Sequence, residues 1–221
     1  MNWKTEFRSF YYEGAPEPSD IILPASETAL LVIDVQNIYM EPAPDQRARW
    51  SPFIDRMNGK VIPNTARLIE ICRTAAIPVI FARIGTLTKD GRDRSLSQKK
   101  PGWNNLLLPK DTNAAQIVPG LAPREGEIVV TKTTDSALTG TNLRLVLRNM
   151  GINHVIAAGI FTDQCISSTV RSLADESFDV VVVEDCCAAA TMELHNKELE
   201  IINMIYCHVV SLEDVAQFIV T

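Results

Sequence analysis

The chain is poor in histidine: it has three in 221 residues, His154, His195 and His208, with no His-x-His or His-x-x-x-His pair. A histidine-based zinc or iron centre is therefore not expected. There is no GxxxxGK[ST] stretch, and no GxGxxG follows the first apolar run, which argues against nucleoside triphosphates and dinucleotides. No run approaches the ~18 apolar residues of a membrane span. The opening MNWKTEFRSFYYEG lacks the apolar stretch of a secretion signal, so the expectation is a cytoplasmic protein. Basic clusters are missing too. Net charge is −6, and the densest basic segment, KDGRDRSLSQKK, contains two aspartates. No nucleic-acid or membrane partner is expected. The five cysteines (Cys72, Cys165, Cys186, Cys187, Cys207) are an odd number in a long chain without a secretion signal. They read as reduced thiols and not as a disulfide framework.

What the chain does have is alternation. ALLVIDV (29–35), PVIFAR (78–83), EIVVTK (127–132), NHVIAAG (153–159), FDVVVVED (178–185) and CHVVS (207–211) are short, β-branched and apolar throughout. Such runs suit strands buried on both faces of a parallel sheet. Helical spacing separates them. Leu143, Val146, Leu147 and Met150 share a face, and Gly151 stands where a helix stops. Ile166, Thr169, Val170 and Leu173 repeat the pattern, and Ser211 opens a last helix with Glu213 and Asp214 in its first turn. The fold class is α/β, one doubly wound domain over residues 28–221. Residues 1–27 read as an N-terminal arm. Residues 84–126 are too long for an ordinary connection, and read as a lid, an interface element or a surface excursion with one or two short helices.

In open parallel sheets, ligands sit beyond the carboxyl ends of the strands. The first strand delivers Asp34 there, the third Lys132, and the fourth, through GIFTDQC, Cys165. An acid, a cation and a thiol at one edge form a candidate nucleophile constellation. Separately, each has a structural alternative: a capping carboxylate, a solvated strand end, a small core residue. With Thr162 or Asp163 as N-cap, Cys165 falls in the first helical turn, one residue off the apolar stripe. The helix terminus and a lysine lower a thiol's pKa, while a neighbouring Asp34 carboxylate raises it. The other four cysteines read as structural: Cys72 on a stripe with Leu68, Ile69 and Ala76, Cys186 and Cys187 just after the fifth strand, Cys207 starting the sixth. His154 lies at the far end of the fourth strand, His195 in a helix and His208 in the last strand, so a Cys-His dyad is not expected.

With ALLVIDVQN, GEIVVTK and GIFTDQCISSTVRSLADESFDVVVVEDCCAA in this order, the chain resembles the isochorismatase-like cysteine hydrolases from about residue 28 onward. The resemblance implies a three-layer α/β/α sandwich with a six-stranded parallel sheet of order 3-2-1-4-5-6. It implies a catalytic triad of Asp34, Lys132 and Cys165. It also implies a cis peptide at Ile160–Phe161 that turns the backbone N–H groups of Phe161 and Cys165 into an oxyanion hole. The Asp-x-His…His metal set of nicotinamidases is absent, so no metal and no cofactor are expected. The cysteine is present, unlike in isochorismate-cleaving members. The implied activity is hydrolysis of a small amide or a carbamoyl or ureido C–N bond through a thioester. The alternative is vinyl-ether hydrolysis with Asp34 as general acid. A phosphorelay receiver is disfavoured by chain length and by the lack of an acidic pair. Gln36 and Tyr39 are candidate pocket residues, and Arg83 a candidate for a substrate carboxylate, each with surface or packing as its alternative. The family also implies a homo-oligomer, dimer or tetramer, with the long loop of one subunit reaching toward another's pocket.

Overall fold

The computed structural model describes residues 3–220. In chain order it contains β1 (Leu23–Pro24), β2 (Thr28–Ile33), α1 (Asn37–Met40), α2 (Arg47–Arg56), α3 (Ile62–Thr74), β3 (Val79–Ile84), α4 (Leu96–Lys99), β4 (Ile128–Lys132) and α5 (Leu143–Asn149). There follow β5 (His154–Ile160), α6 (Ser167–Asp175), β6 (Asp179–Ala188), α7 (Met192–Ile202), β7 (His208–Val210), α8 (Leu212–Phe218) and β8 (Ile219–Val220). Six strands form one parallel sheet, β4-β3-β2-β5-β6-β7. Counted within that sheet, the order is 3-2-1-4-5-6. The detail not anticipated is a second, two-stranded sheet that pairs β1 with β8.

Strand alternation shows why the apolar runs are continuous. In β2, Leu30 and Val32 enter one core, while Ala29, Leu31 and Ile33 enter the other. Val181 and Val183 in β6 pack with the first, Val180 and Val182 with the second. The first core is closed by α2, α3 and α8 through Phe53, Leu68, Ile69, Leu212 and Val215. The second is closed by α5, α6 and α7 through Leu147, Val170, Leu173, Leu199 and Ile202. Each fully buried aliphatic side chain stabilises the fold by about 1.5–3 kcal/mol.

Local signals act where the spacing places them. At the end of α5, Gly151 has φ +71°, and the N–H groups of Gly151 and Ile152 donate to the carbonyls of Arg148 and Leu147. This double bond pattern closes the orphan carbonyls of the last turn. Ser211 caps α8 in a reciprocal box with Asp214, as its sequence suggests.

Four expectations need correction. Helix α3 ends before Ala76, which is exposed at φ +58° and not on the buried stripe. Strand β6 runs to Ala188, so Cys186 and Cys187 lie inside it, where the register with β5 shifts between Ala157 and Gly159. The N-cap before Cys165 is Phe161 (ψ 144°), one residue earlier than Thr162, because a π turn over Thr162–Ile166 precedes α6. Residues 3–27 are also more than a free arm. Leu23 is fully buried, Trp3 stacks edge-on against His208 and Phe218, and Asn203 donates to the carbonyls of Glu6 and Phe7.

The 84–126 segment holds α4 and two short 3-10 turns, Asn113–Ala115 and Pro119–Leu121. It is tied down by its own polar groups. Asp93 accepts from the N–H groups of Leu87 and Thr88, and Arg94 donates to the carbonyls of Gly91, Gln98 and Leu106. No helix among the described residues is long and apolar enough to cross a membrane.

Candidate active site

The sheet order reverses between β2 and β5, and the crevice at such a switch point is where open α/β sheets place ligands. Both central strands end there. Strand β2 stops because Asp34 takes a left-handed conformation (φ +55°), while its N–H still bonds to Ala82 O of β3 at 2.8 Å. Aspartate tolerates this region better than bulky residues do. Strand β5 stops at Ile160, whose peptide bond to Phe161 is cis. The N–H groups of Gln164 and Ile166 then both converge on Phe161 O, at 3.0 and 3.2 Å. The Ile166 bond spans five residues and makes the π turn that carries Cys165. Single π turns concentrate at functional sites. Gly159 makes this approach possible. It sits at φ +126°, opposite Ile33 in the β2–β5 register, and a Cβ there would lie 2.0 Å from Ile33 O.

The three residues from three strand ends meet. Lys132 Nζ donates to Asp34 Oδ2 at 2.7 Å, to Thr134 O at 3.1 Å and to Cys165 Sγ at 3.4 Å. Lys132 is 1% exposed, Asp34 2% and Cys165 5%. The second carboxylate oxygen, Asp34 Oδ1, is buried with no hydrogen-bond partner. An unsatisfied buried acceptor costs free energy and calls for an explanation; here the Asp34 carboxyl interacts with the Cys165 thiol.

Burial shapes the protonation of this cluster. It raises the Asp34 pKa, and the attraction of Lys132 does not fully reverse it. It raises the Cys165 thiol well above its usual value, with the Asp34 charge adding to the rise and Lys132 opposing it. Burial alone would lower Lys132, but Asp34 and then Cys165 outweigh it, so the ammonium is held. The helix terminus and the lysine therefore do not preform a thiolate: burial holds the resting Cys165 as a thiol. The other four cysteines are buried with raised pKa values, Cys72 and Cys187 to about 12, and no bonded partner thiol.

The remaining candidates divide. Tyr39 belongs with the site. Its ring stacks on Phe161 at 5.2 Å, and burial followed by the charges of Asp34, Cys165 and Asp135 raises its pKa. Gln36 does something else. It is fully buried and spends its amide on Ile84 O, Ala115 O and Ile84 N, at 2.8, 2.8 and 2.9 Å. It fastens β2 to β3 and to the long loop, with no polar group left for a ligand. Arg83 donates to Gln116 Oε1 at 2.6 Å and Thr131 Oγ1 at 3.2 Å and is not brought to the triad. Phe161 supplies the carbonyl that caps the π turn, and its ring packs between Tyr39 and Phe53.

Two features were missed from sequence. Asp135 lies three residues past Lys132 and places Oδ1 3.9 Å from Cys165 Sγ. The loop VVTKTTDSA carries the acid in plain view, but only folding back toward the thiol distinguishes it from a surface residue. His195 is the other. It is 1% exposed, its Nδ1 lies 2.8 Å from Thr162 Oγ1, and Arg56 donates to its Nε2 at 3.1 Å. Nε2 also faces the Glu184 carboxylate, with Oε2 at 3.8 Å. Burial lowers the His195 pKa, with the Glu184 carboxylate opposing it. A single histidine in a helix gives no sequence signal for this role.

Fold and site together define a doubly wound α/β protein whose switch point buries a thiol, a carboxylate and an ammonium group in mutual contact. Residues 28–214 match the isochorismatase domain; the chain belongs to the isochorismatase family. It is similar to a probable inactive nicotinamidase of Arabidopsis thaliana, with 33% identity over 176 residues covering 78% of this chain and 86% of that protein. It is similar to the ureidoacrylate amidohydrolase of Yersinia enterocolitica, with 31% identity over 195 residues, 82% of this chain and 83% of that one. A crystal structure of a cysteine hydrolase from Pseudomonas syringae shares the fold, with TM-score 0.78 and 20% identity over 91% of this chain and 97% of that one.

Proposed function

We propose that the protein is a cysteine amidohydrolase acting on a small amide or ureido C–N bond. The observation that carries this reading is the buried contact set of Lys132 Nζ, 2.7 Å from Asp34 Oδ2 and 3.4 Å from Cys165 Sγ. The similarity to an ureidoacrylate amidohydrolase supports the bond type.

The thiol proton moves to Asp34 as Cys165 Sγ bonds to the substrate carbonyl carbon. Because the thiol pKa is high at rest, transfer accompanies attack, and Asp34 Oδ1, free of other partners, is the acceptor. The carbonyl oxygen becomes an oxyanion, for which the N–H groups of Phe161 and Cys165 are the donors; one such donor contributes about 3 kcal/mol. Collapse breaks the C–N bond, and Asp34 returns the proton to the leaving nitrogen as ammonia or an amine. Water then attacks the thioester, gives its proton to Asp34, and the acyl group leaves as an acid while the thiol is restored. Lys132 holds Asp34 in place and balances its charge throughout. Tyr39 forms part of the substrate wall.

The test is ammonia release from a panel of ureides, carbamoyl amino acids, maleamate and nicotinamide, with intact-mass detection of an acyl adduct on the Cys165 peptide. Replacing Cys165 with Ala is expected to abolish both signals. Undiminished turnover in that variant overturns the mechanism, and would favour acid catalysis by Asp34 alone.

A further inference from the structure

A cavity of about 600 Å³ is lined by Asp135, Asp163, Gln164, Asn104 and Arg171 among others; Gln164 is next to Cys165 in the chain and Asp135 in space. Its walls come from three separate places: the loop after β4, the π turn with α6, and the long 84–126 segment. Asp135 joins this cavity to the reacting sulfur at 3.9 Å. The charge of Asp135 is felt by both Cys165 and Tyr39, so the acid belongs to the reaction chamber. Asp163 adds a second carboxylate, and its Oδ1 is buried without a hydrogen-bond partner.

The basic groups around the cavity already have partners, including Arg171 in its wall. Arg171 is paired with Glu198 at 2.9 Å and lies over the Tyr206 ring. Lys132 is held by Asp34 and Thr134, and Arg83 by Gln116 and Thr131. Arg94 is consumed by three backbone carbonyls. What remains unpaired in charge is two carboxylates, Asp135 and Asp163, beside the amides of Asn104 and Gln164 and serine hydroxyls, which can donate or accept. A carboxylate-bearing substrate would meet like charge, which costs several kcal/mol at close range in a partly desolvated site.

We infer that Asp135, with Asp163 behind it, makes this pocket select amides or ureides whose far end is a cation or a neutral N–H donor, and reject those that end in a carboxylate. The inference rests on the amidohydrolase reading for its turnover but not for its binding. It separates this chain from an enzyme of acrylate-type ureides within the same family.

Three ureides of matched length test it: 3-ureidopropylammonium, propylurea and 4-ureidobutyrate. In the unmodified protein, kcat/KM for ammonia release should fall in that order. The cation should exceed the anion by at least about tenfold, which is about 1.4 kcal/mol. In Asp135→Asn that ratio should shrink several-fold, and Asp163→Asn should move it the same way. Calorimetric titration of the same probes into Cys165→Ala reads selectivity without turnover. Binding in this order with no ammonia from any probe in the unmodified protein would sink the amidohydrolase reading alone. A preference for 4-ureidobutyrate, an unchanged ratio in Asp135→Asn, or no binding and no turnover with any of the three overturns the selectivity.

Discussion

Lys132 is a whole ammonium group buried at 1% exposure, tolerated because Asp34 meets it at 2.7 Å. Removing one member of such a pair leaves the other charge uncompensated, at a cost of about 3–5 kcal/mol, whereas removing both is far milder. Lys132→Met should therefore be strongly destabilised to urea, and Asp34→Asn/Lys132→Met clearly less so. Additive losses would show that the two charges do not compensate each other. The same residues set the pH dependence. In the proposed mechanism Asp34 must be ionised to take the thiol proton, and burial raises its pKa above 3.8, so the acid limb of kcat/KM should lie above that value. Cys165 is raised above 9.0 and Lys132 above 10.5. The working state, thiol and ammonium protonated, thus persists as pH rises, and the alkaline limb should lie above pH 9. The triad titrates as a unit, so these limbs belong to the cluster. A pH–rate profile with an alkaline limb near 7 would contradict this assignment. At this scale Asp34, Lys132 and Cys165 were legible in the sequence, since each closes an apolar run at the same edge of the sheet. Gln36 was not: whether a glutamine beyond a strand faces a ligand or a carbonyl depends on what the loop at Ala115 does, 79 residues away.

At the scale of elements, the site depends on how closely β2 and β5 run. Ile33 pairs with Gly159, and the residues that follow them lead to Asp34 and Cys165. A methyl group on Gly159 would collide with the Ile33 carbonyl and require φ +126° of an L side chain. Gly159→Ala should push the strand ends apart, cost about 1–3 kcal/mol or more as overpacking does, and lower kcat at least tenfold; a chemical melt and ammonia assay on the same sample check both. The same change at Gly140, where nothing lies within 4 Å of a Cβ, is the control for strain without collision. The helices around the site were legible where a periodic stripe and a cap coincide, as in α5 with Gly151 and α8 with Ser211. The π turn over Thr162–Ile166 was not. It arises where β5 turns into α6 and both Gln164 and Ile166 bond Phe161 O, and His195, from α7, holds Thr162 from outside. No local residue pattern encodes that contact.

For the whole molecule, the amino-terminal segment is part of the fold. Strand β1 pairs with β8, and Ile21 and Leu23 enter the core closed by α8. Leu23→Ala should cost about 2–5 kcal/mol, as for other fully buried leucines, measured by the urea midpoint; a cost below 1 kcal/mol would mean that the strap contributes little. The long 84–126 segment follows β3 and contributes Ser97 and Asn104 to the cavity wall. The order of strands came only from the family resemblance; by itself the sequence determined the class of fold and the three residues at the carboxyl ends of its strands. It could do so because burial on both faces demands continuous apolar runs, and because a parallel sheet delivers every strand end to the same edge. Only the tertiary structure decided which polar groups face the thiol. Asp135 comes to the thiol, His195 holds Thr162 from behind the π turn, Gln36 and Arg83 are spent on structure, and the thiol keeps its proton. The physical reason is that burial and pairing energies depend on neighbours far apart in the chain, and those neighbours exist only once the sheet, its helices and the long loop have closed around the switch point.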